Sequence, residues 1–162
     1  MPTNLDIDDE ISRLAPSRAT VLIVGGTPEM KVGLARALHE RSPRAVQPFV
    51  AVDCTAFASE VLEDVLFGGP LYSARVASDP PLERRGAVND AQRGTLYVAN
   101  VDALPMTLQA RFLRFLDVSY TLRVVASSDT DLVALARPGR FRADLAERLS
   151  LVRVVLSEQE KR

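Results

Sequence analysis

Tryptophan is absent from the 162 residues, and cysteine and histidine occur once each, as Cys54 and His39. One cysteine cannot close an internal disulfide, and one Cys with one His cannot supply the four ligands of a structural zinc site. Lysine is nearly missing too: of 20 basic side chains only Lys31 and Lys161 are lysines. No apolar run approaches the roughly 20 residues that a membrane-spanning helix needs. The N-terminus, MPTNLDIDDE, is acidic where a secretory signal would be basic and then apolar. Charge is balanced, with 20 basic against 21 acidic residues, so nothing pulls the whole chain toward nucleic acid or anionic lipid. A cytoplasmic domain without a metal, a membrane or a direct nucleic-acid partner is the expectation.

What is present is an alternation. Leu5, Ile7, Ile11 and Leu14 recur at helical spacing, predicting an N-terminal helix within residues 1–16 that Pro16 closes. VLIV (21–24) is a short apolar run ending in Gly25-Gly26, as fully buried parallel strands are. A helix follows over 31–41, then a strand at FVAV (49–52) and a helix marked by Val61, Leu62, Val65 and Leu66. Residues 68–86 hold three prolines and three glycines without a period and read as a loop. Strands are expected at 94–101, 122–127 and 151–156, with helices at 108–116, 132–136 and 145–149 between them. This order predicts a single α/β domain over 1–162, a three-layer parallel five-stranded sheet with helices on both faces.

Among the lone chemical groups, His39 has no Ser or Cys partner in local register, and Cys54 follows a buried strand, so both read as structural. Arg84-Arg85 and Arg111-Arg114 come without an aromatic platform and read as solvated surface.

A strand that ends in glycine before a helix is where α/β proteins hold phosphate, because free backbone N–H groups and the helix dipole favour an anion there. The motif is G-x-x-x-x-G-K-[ST]. Here Gly25, Gly26, Thr27 and Lys31 fit as weak nucleotide-binding candidates, but Met30 replaces the second glycine and Val32 the Mg-binding hydroxyl. Pro28 removes a donor, and Glu29 adds negative charge to a loop meant for a polyanion. A plain strand-to-helix turn with a solvated lysine explains the same residues.

The ordered segments VLIVGG…K (21–31), ALHERSPRAVQPFVAVDCTAF (37–57), LEDVLFG (62–68), GTLYVANVDALP (94–105), LQARFLRFL (108–116), LRVVASS (122–128) and GRFRADLAERL (139–149) carry a resemblance. Together they resemble the AAA+ ATPase domain of sigma-54-dependent transcription activators of NtrC type. The resemblance implies a P-loop NTPase sheet of AAA+ type. It also implies that the chain departs from the family where chemistry is done. The metal-binding Asp and water-activating Glu are replaced by Ala99 and Asn100, and the sensor Asn by Ser128. The Asn that restrains the catalytic Glu corresponds to Asp53, which then has nothing to restrain.

GGPLYSARV (68–76) stands where the family has its sigma-contacting loop, and the hairpin after the 108–116 helix is missing. The chain ends at LSEQEKR, where the family continues into a helical lid. Arg142 and Arg148 match the family's arginine fingers, although a helix surface pairing them with Asp144 and Glu147 explains them equally. The expectation is therefore a pseudo-ATPase rather than an enzyme, acting by association in transcription regulation or signalling, with an AAA+ paralogue or another copy of itself. The 68–86 loop is the first candidate for the partner surface, with drift after a lost contact as the competing explanation. No cofactor is expected. ATP or ADP held at low affinity without hydrolysis is the alternative.

Overall fold

Alternation inside each short apolar run sets the architecture. The computed structural model describes residues 4–69, 86–118 and 121–157. Five strands form one sheet: β1 (Val21–Gly25), β2 (Phe49–Asp53), β3 (Thr95–Ala99), β4 (Arg123–Ser128) and β5 (Val152–Leu156). Their order across the sheet is β2-β3-β4-β1-β5, and every pairing is parallel. Val21 and Ile23 turn to one face with Tyr97, Val125 and Val154, while Leu22 turns to the other with Leu96, Val98, Val124 and Ala126. β1, β3 and β4 are buried on both faces and are therefore mostly apolar, whereas the edge strands β2 and β5 keep exposed positions at Ala51, Asp53, Arg153 and Val155.

Helices α1 (Asn4–Leu14) and α2 (Pro28–Glu40) cover the first face through Ile11, Leu14, Leu34, Ala35 and Leu38. The second face carries α3 (Ser59–Phe67), a short α4 (Ala87–Asp90), α5 (Met106–Val118), α6 (Leu132–Ala136) and α7 (Ala143–Leu149). Leu62, Leu66, Phe112, Leu132, Leu145 and Leu149 are fully buried there. The three-layer parallel sheet expected from the sequence is the fold found.

Element ends differ from the expectation for local reasons. α2 begins at Pro28 rather than at 31, because Thr27 caps it and accepts from the Met30 N–H at 3.2 Å. Pro28 thus occupies the first helical position, where its missing N–H deprives the helix of nothing. The strand expected over 94–101 stops at Ala99, because Asn100 turns left-handed (φ 54°) into a 3₁₀ turn, Val101–Ala103. The short helix Ala87–Asp90 has no sequence period that four residues could display. Residues 70–85, most of the segment read as a loop, lie outside the described residues, as do Arg84 and Arg85. Its flanks meet: a Cβ on Gly86 would lie 2.3 Å from the Gly68 nitrogen, so only glycine fits that crossing.

Candidate functional site

The start of α2 and the carboxyl ends of β2, β3 and β4 open onto a cavity of about 340 Å³ lined by Glu29, Lys31, Asp53, Tyr97, Asn100 and Ser127, among others. Parallel α/β sheets bind ligands at this edge. Of the four candidate residues Lys31 lines the cavity, while Gly25, Gly26 and Thr27 form the turn between β1 and α2 beside it.

Both glycines have a packing reason to be there. Gly25 and Gly26 have φ of +80° and +74°, and a Cβ on Gly25 would sit 2.5 Å from the Leu156 carbonyl oxygen. The close passage of β5 therefore requires glycine whether or not an anion binds. The loop's donors are also partly used. Met30 N–H goes to Thr27 Oγ1, Lys31 N–H goes to the Thr27 carbonyl at 3.1 Å, and Pro28 has none.

Lys31 is not the solvated lysine of the alternative reading: it is 3% exposed. Its ammonium is paired with the Asp129 carboxylate just past the end of β4, and Asp129 itself is largely in solvent. Asp102 is a second carboxyl nearby. Burial pushes it above the ordinary carboxylate range, and the Asp129 charge adds to the rise while the Lys31 charge opposes it. One Asp102 oxygen, Oδ1, is buried without a hydrogen-bond partner.

Across the cavity, Asp53 Oδ1 accepts from Asn100 Nδ2 at 2.9 Å, from Thr55 Oγ1 at 2.7 Å and from the Thr55 N–H at 2.9 Å. Burial raises this carboxyl, but the bonds from Asn100 and Thr55 outweigh it and hold the group below its ordinary value. The expectation that Asp53 has nothing to hold is thus corrected. It holds Asn100, with the carboxylate on β2 and the amide after β3. Ala99, the last residue of β3, offers no donor or acceptor beyond its backbone. Ser128 is fully buried and turns inward, its hydroxyl donating to the Thr130 carbonyl at 2.6 Å. Tyr97 donates to Ser127 Oγ at 2.8 Å, and both residues line the cavity.

Arg142 and Arg148 are not among the residues lining this cavity. Arg142 precedes α7 and forks onto both oxygens of Asp144, at 3.1 and 2.9 Å, as the surface reading expected. Arg148 faces Asp117 at 3.9 Å rather than Glu147. Consecutive residues point to different sides of a helix, so 147 and 148 cannot face each other.

The remaining single groups are structural. His39 is buried between Thr95 Oγ1 (2.8 Å) and the Gln47 carbonyl (3.0 Å). Burial pushes the Cys54 thiol up to about 12. Arg111 pairs with Glu63 at 2.6 Å and lies over the Phe67 ring. Among the described residues there is no His, Cys, Asp and Glu grouping able to hold a metal, and no helix long and apolar enough to cross a membrane.

Asp129, Asp102, Tyr97 and Ser127 were missed by the sequence reading. The signal available for the first was its place directly after a buried strand, at the edge where Lys31 also emerges.

Comparison with known proteins places this site in a family. Residues 2–155 match the sigma-54 interaction domain. The regulatory protein AtoC of Escherichia coli is 32% identical over 167 residues, covering 96% of this chain and 36% of AtoC. The response regulator protein FleR of Pseudomonas aeruginosa is 34% identical, covering 93% of this chain and 34% of FleR. This chain therefore spans about a third of the length of these relatives. The crystal structure of NtrX from Brucella abortus in complex with ATP superposes with a TM-score of 0.81 at 30% identity, covering 93% of this chain and 36% of that one. The matched residues include nearly every element described above, and the chain belongs to the sigma-54 interaction domain family, built on the P-loop NTPase sheet of AAA+ type.

Proposed function

We propose that this chain is a catalytically inactive AAA+ domain that acts in transcription regulation by binding protein rather than by hydrolysing ATP. The observation that carries the reading is the end of β3. Ala99 brings no oxygen to a metal, and Asn100 carries an amide where activation of water needs a carboxylate. That amide is already committed to Asp53.

The rest of the edge supports the same reading. Met30 and Lys31 spend their N–H groups on Thr27, and Lys31 spends its charge on Asp129. Glu29, Asp53, Asp102 and Asp129 surround the one lysine with negative charge, which opposes a polyanion. Val32 lines the cavity without a hydroxyl. These residues oppose a Mg-nucleotide. The partner is then a protein, either a second copy of this chain or an active relative in the cytoplasm, toward which Arg142 and Arg148 would be offered in trans. Purified chain with ATP and Mg should release no phosphate above a buffer blank. Turnover that disappears on Lys31→Met would refute the reading. Added to an active family member, the chain should change that protein's turnover, and Arg142→Ala should reverse the change.

A second reading is favoured by one feature, the buried Lys31 beside a cavity of about 340 Å³. The chain then holds ATP or ADP without hydrolysis and senses it, and the NtrX relative crystallised with ATP supports this. Calorimetric titration with ATP and ADP, with and without Mg, separates the two. Saturable heat lost in Lys31→Met favours sensing, and no heat favours the bare interaction domain.

A further inference from the structure

The opposite edge of the sheet, where the strands begin, carries a different charge arrangement. A cleft of about 480 Å³ opens there between the end of α1 and the segments leading into β2, β3 and β4. Arg18, Arg44 and Arg93 line it together with Pro16, Pro43 and Thr121, and none of its lining residues is acidic. The volume is that of a small-molecule site.

Elsewhere the chain matches many of its arginines to carboxylates: Arg13 to Glu10, Arg41 to Asp8, Arg111 to Glu63 and Arg153 to Asp131. At the cleft it does not. Among the described residues no ion pair reaches Arg18, Arg44, Arg93 or the buried Arg123 behind them. Four guanidinium groups are thus gathered without a counter-charge in a chain whose net charge is −1.

The central arginine is built in, not merely exposed. Arg44 Nη1 donates to the Thr121 carbonyl at 2.9 Å, to Gly94 at 3.1 Å and to Arg93 at 3.4 Å. That fixes the guanidinium plane by one corner, while no acceptor is seen for Nε or Nη2 among the described residues. Arg123, 1% exposed, is held by the carbonyls of Leu14, Ala15 and Ala19. Arg93 sits at φ 67°, in the left-handed region that an arginine enters at a cost, and this turn presents its carbonyl to Arg44. The mutual repulsion is felt: burial and then the Arg18 charge lower Arg44, and burial and then the Arg44 charge lower Arg123 to about 10.

We propose that this cleft is an anion site for a small molecule bearing two or three linked phosphate groups, gripped by Arg18, Arg44 and Arg93. A guanidinium fork matches a phosphate face with two parallel hydrogen bonds, and three forks around one cleft match a chain of phosphates better than a single carboxylate. The two prolines form an apolar wall that a ring attached to the phosphates would cover. This site lies at the far end of the strands from Lys31 and does not depend on the reading given to that edge.

The test is calorimetric titration of the full chain with inorganic tripolyphosphate and pyrophosphate, with citrate as a non-phosphate trianion. The site predicts saturable one-to-one binding, tripolyphosphate tighter than pyrophosphate, and citrate at least tenfold weaker. Arg18→Gln and Arg93→Gln, whose side chains make no hydrogen bond in the described structure, should each weaken binding about tenfold with the thermal midpoint unchanged. Arg44→Lys, which keeps the charge and loses the fork, should weaken it as well. Lys31→Met should leave it untouched. Absence of saturable binding at millimolar probe, equal binding of citrate, or loss of binding in Lys31→Met in place of the arginine variants would each overturn the assignment.

Discussion

Asp129→Asn and Lys31→Met, made singly and together, should affect stability unequally, with the loss falling on Asp129→Asn. The side chain of Lys31 is 4% exposed and that of its partner 69%, so the pair has one dry end and one wet end. Breaking a fully buried pair by removing one charge costs about 3–5 kcal/mol, and an exposed pair is worth about 0–1 kcal/mol. For a pair of this mixed kind Asp129→Asn should cost about 1–2 kcal/mol, because the ammonium stays buried with its best counter-charge gone. Lys31→Met removes the buried charge and keeps most of the volume, and it leaves Asp129 hydrated. It should therefore lie within about 1 kcal/mol of the parent or above it. The double variant should resemble Lys31→Met alone, since the asparagine then has no charge to abandon. Urea unfolding reads this directly as a change in midpoint at constant slope. For a chain of this size the thermal midpoint of Asp129→Asn should fall by roughly 2–8 °C. If Asp129→Asn is neutral while Lys31→Met loses more than about 2 kcal/mol, Lys31 is held by something other than the carboxylate and the argument fails.

Further outcomes follow from neighbouring groups. Asn100→Ala loses the bond to Asp53 and the tolerance that asparagine has for the left-handed region at φ 54°, for a cost of about 1–2 kcal/mol, whereas Asn100→Gly loses the bond but suits that φ and should cost less; in both, NMR titration should find the Asp53 carboxyl moved upward. The Cys54 thiol is raised from 9.0 to about 12, so the folded state keeps its proton where the unfolded state loses it. The stabilisation is complete below about pH 9 and is lost as pH rises toward 12, at up to about 1.4 kcal/mol per pH unit, and Cys54→Ala should flatten that slope in urea unfolding. Gly33 lies in α2 with nothing within 4 Å of a Cβ, so Gly33→Ala should stabilise by about 0.5–1 kcal/mol. Gly25→Ala, driven into the Leu156 carbonyl at positive φ, should cost about 2 kcal/mol or more by the same measurement.

The elements of this fold were legible because burial leaves an apolar run in each strand, unbroken in VLIV and FVAV and interrupted by Arg123 in LRVVAS. The strand order is less local: the sequence reading reached a five-stranded parallel sheet, and the order β2-β3-β4-β1-β5 came only with the structure. Ends were misplaced where one residue's backbone decides: Thr27 starts α2 early, and Asn100 ends β3 by turning left-handed. Neither effect has a period for a pattern to detect.

Pairings across the sheet were the part that could not be read along the chain. Lys31 and Asp129 are 98 positions apart and meet because β4 lies beside β1, with Val24 opposite Ser128. Asp53 and Asn100 meet because β2 and β3 are neighbours in register, Asp53 opposite Ala99. From sequence alone, Ala99 and Asn100 registered as two losses and Asp53 as a leftover. In three dimensions the carboxylate and the amide form one hydrogen-bonded pair across adjacent strands. The edge therefore keeps a carboxylate, held ionised by its donors, but holds it on β2 and tied to Asn100 and Thr55. A carboxylate stabilised in its charged form by three donors is a poor proton acceptor, because each of those bonds lowers its basicity. In the proposed reading that geometry argues against Asp53 as the group that activates water, and so adds to the argument drawn from Ala99 and Asn100.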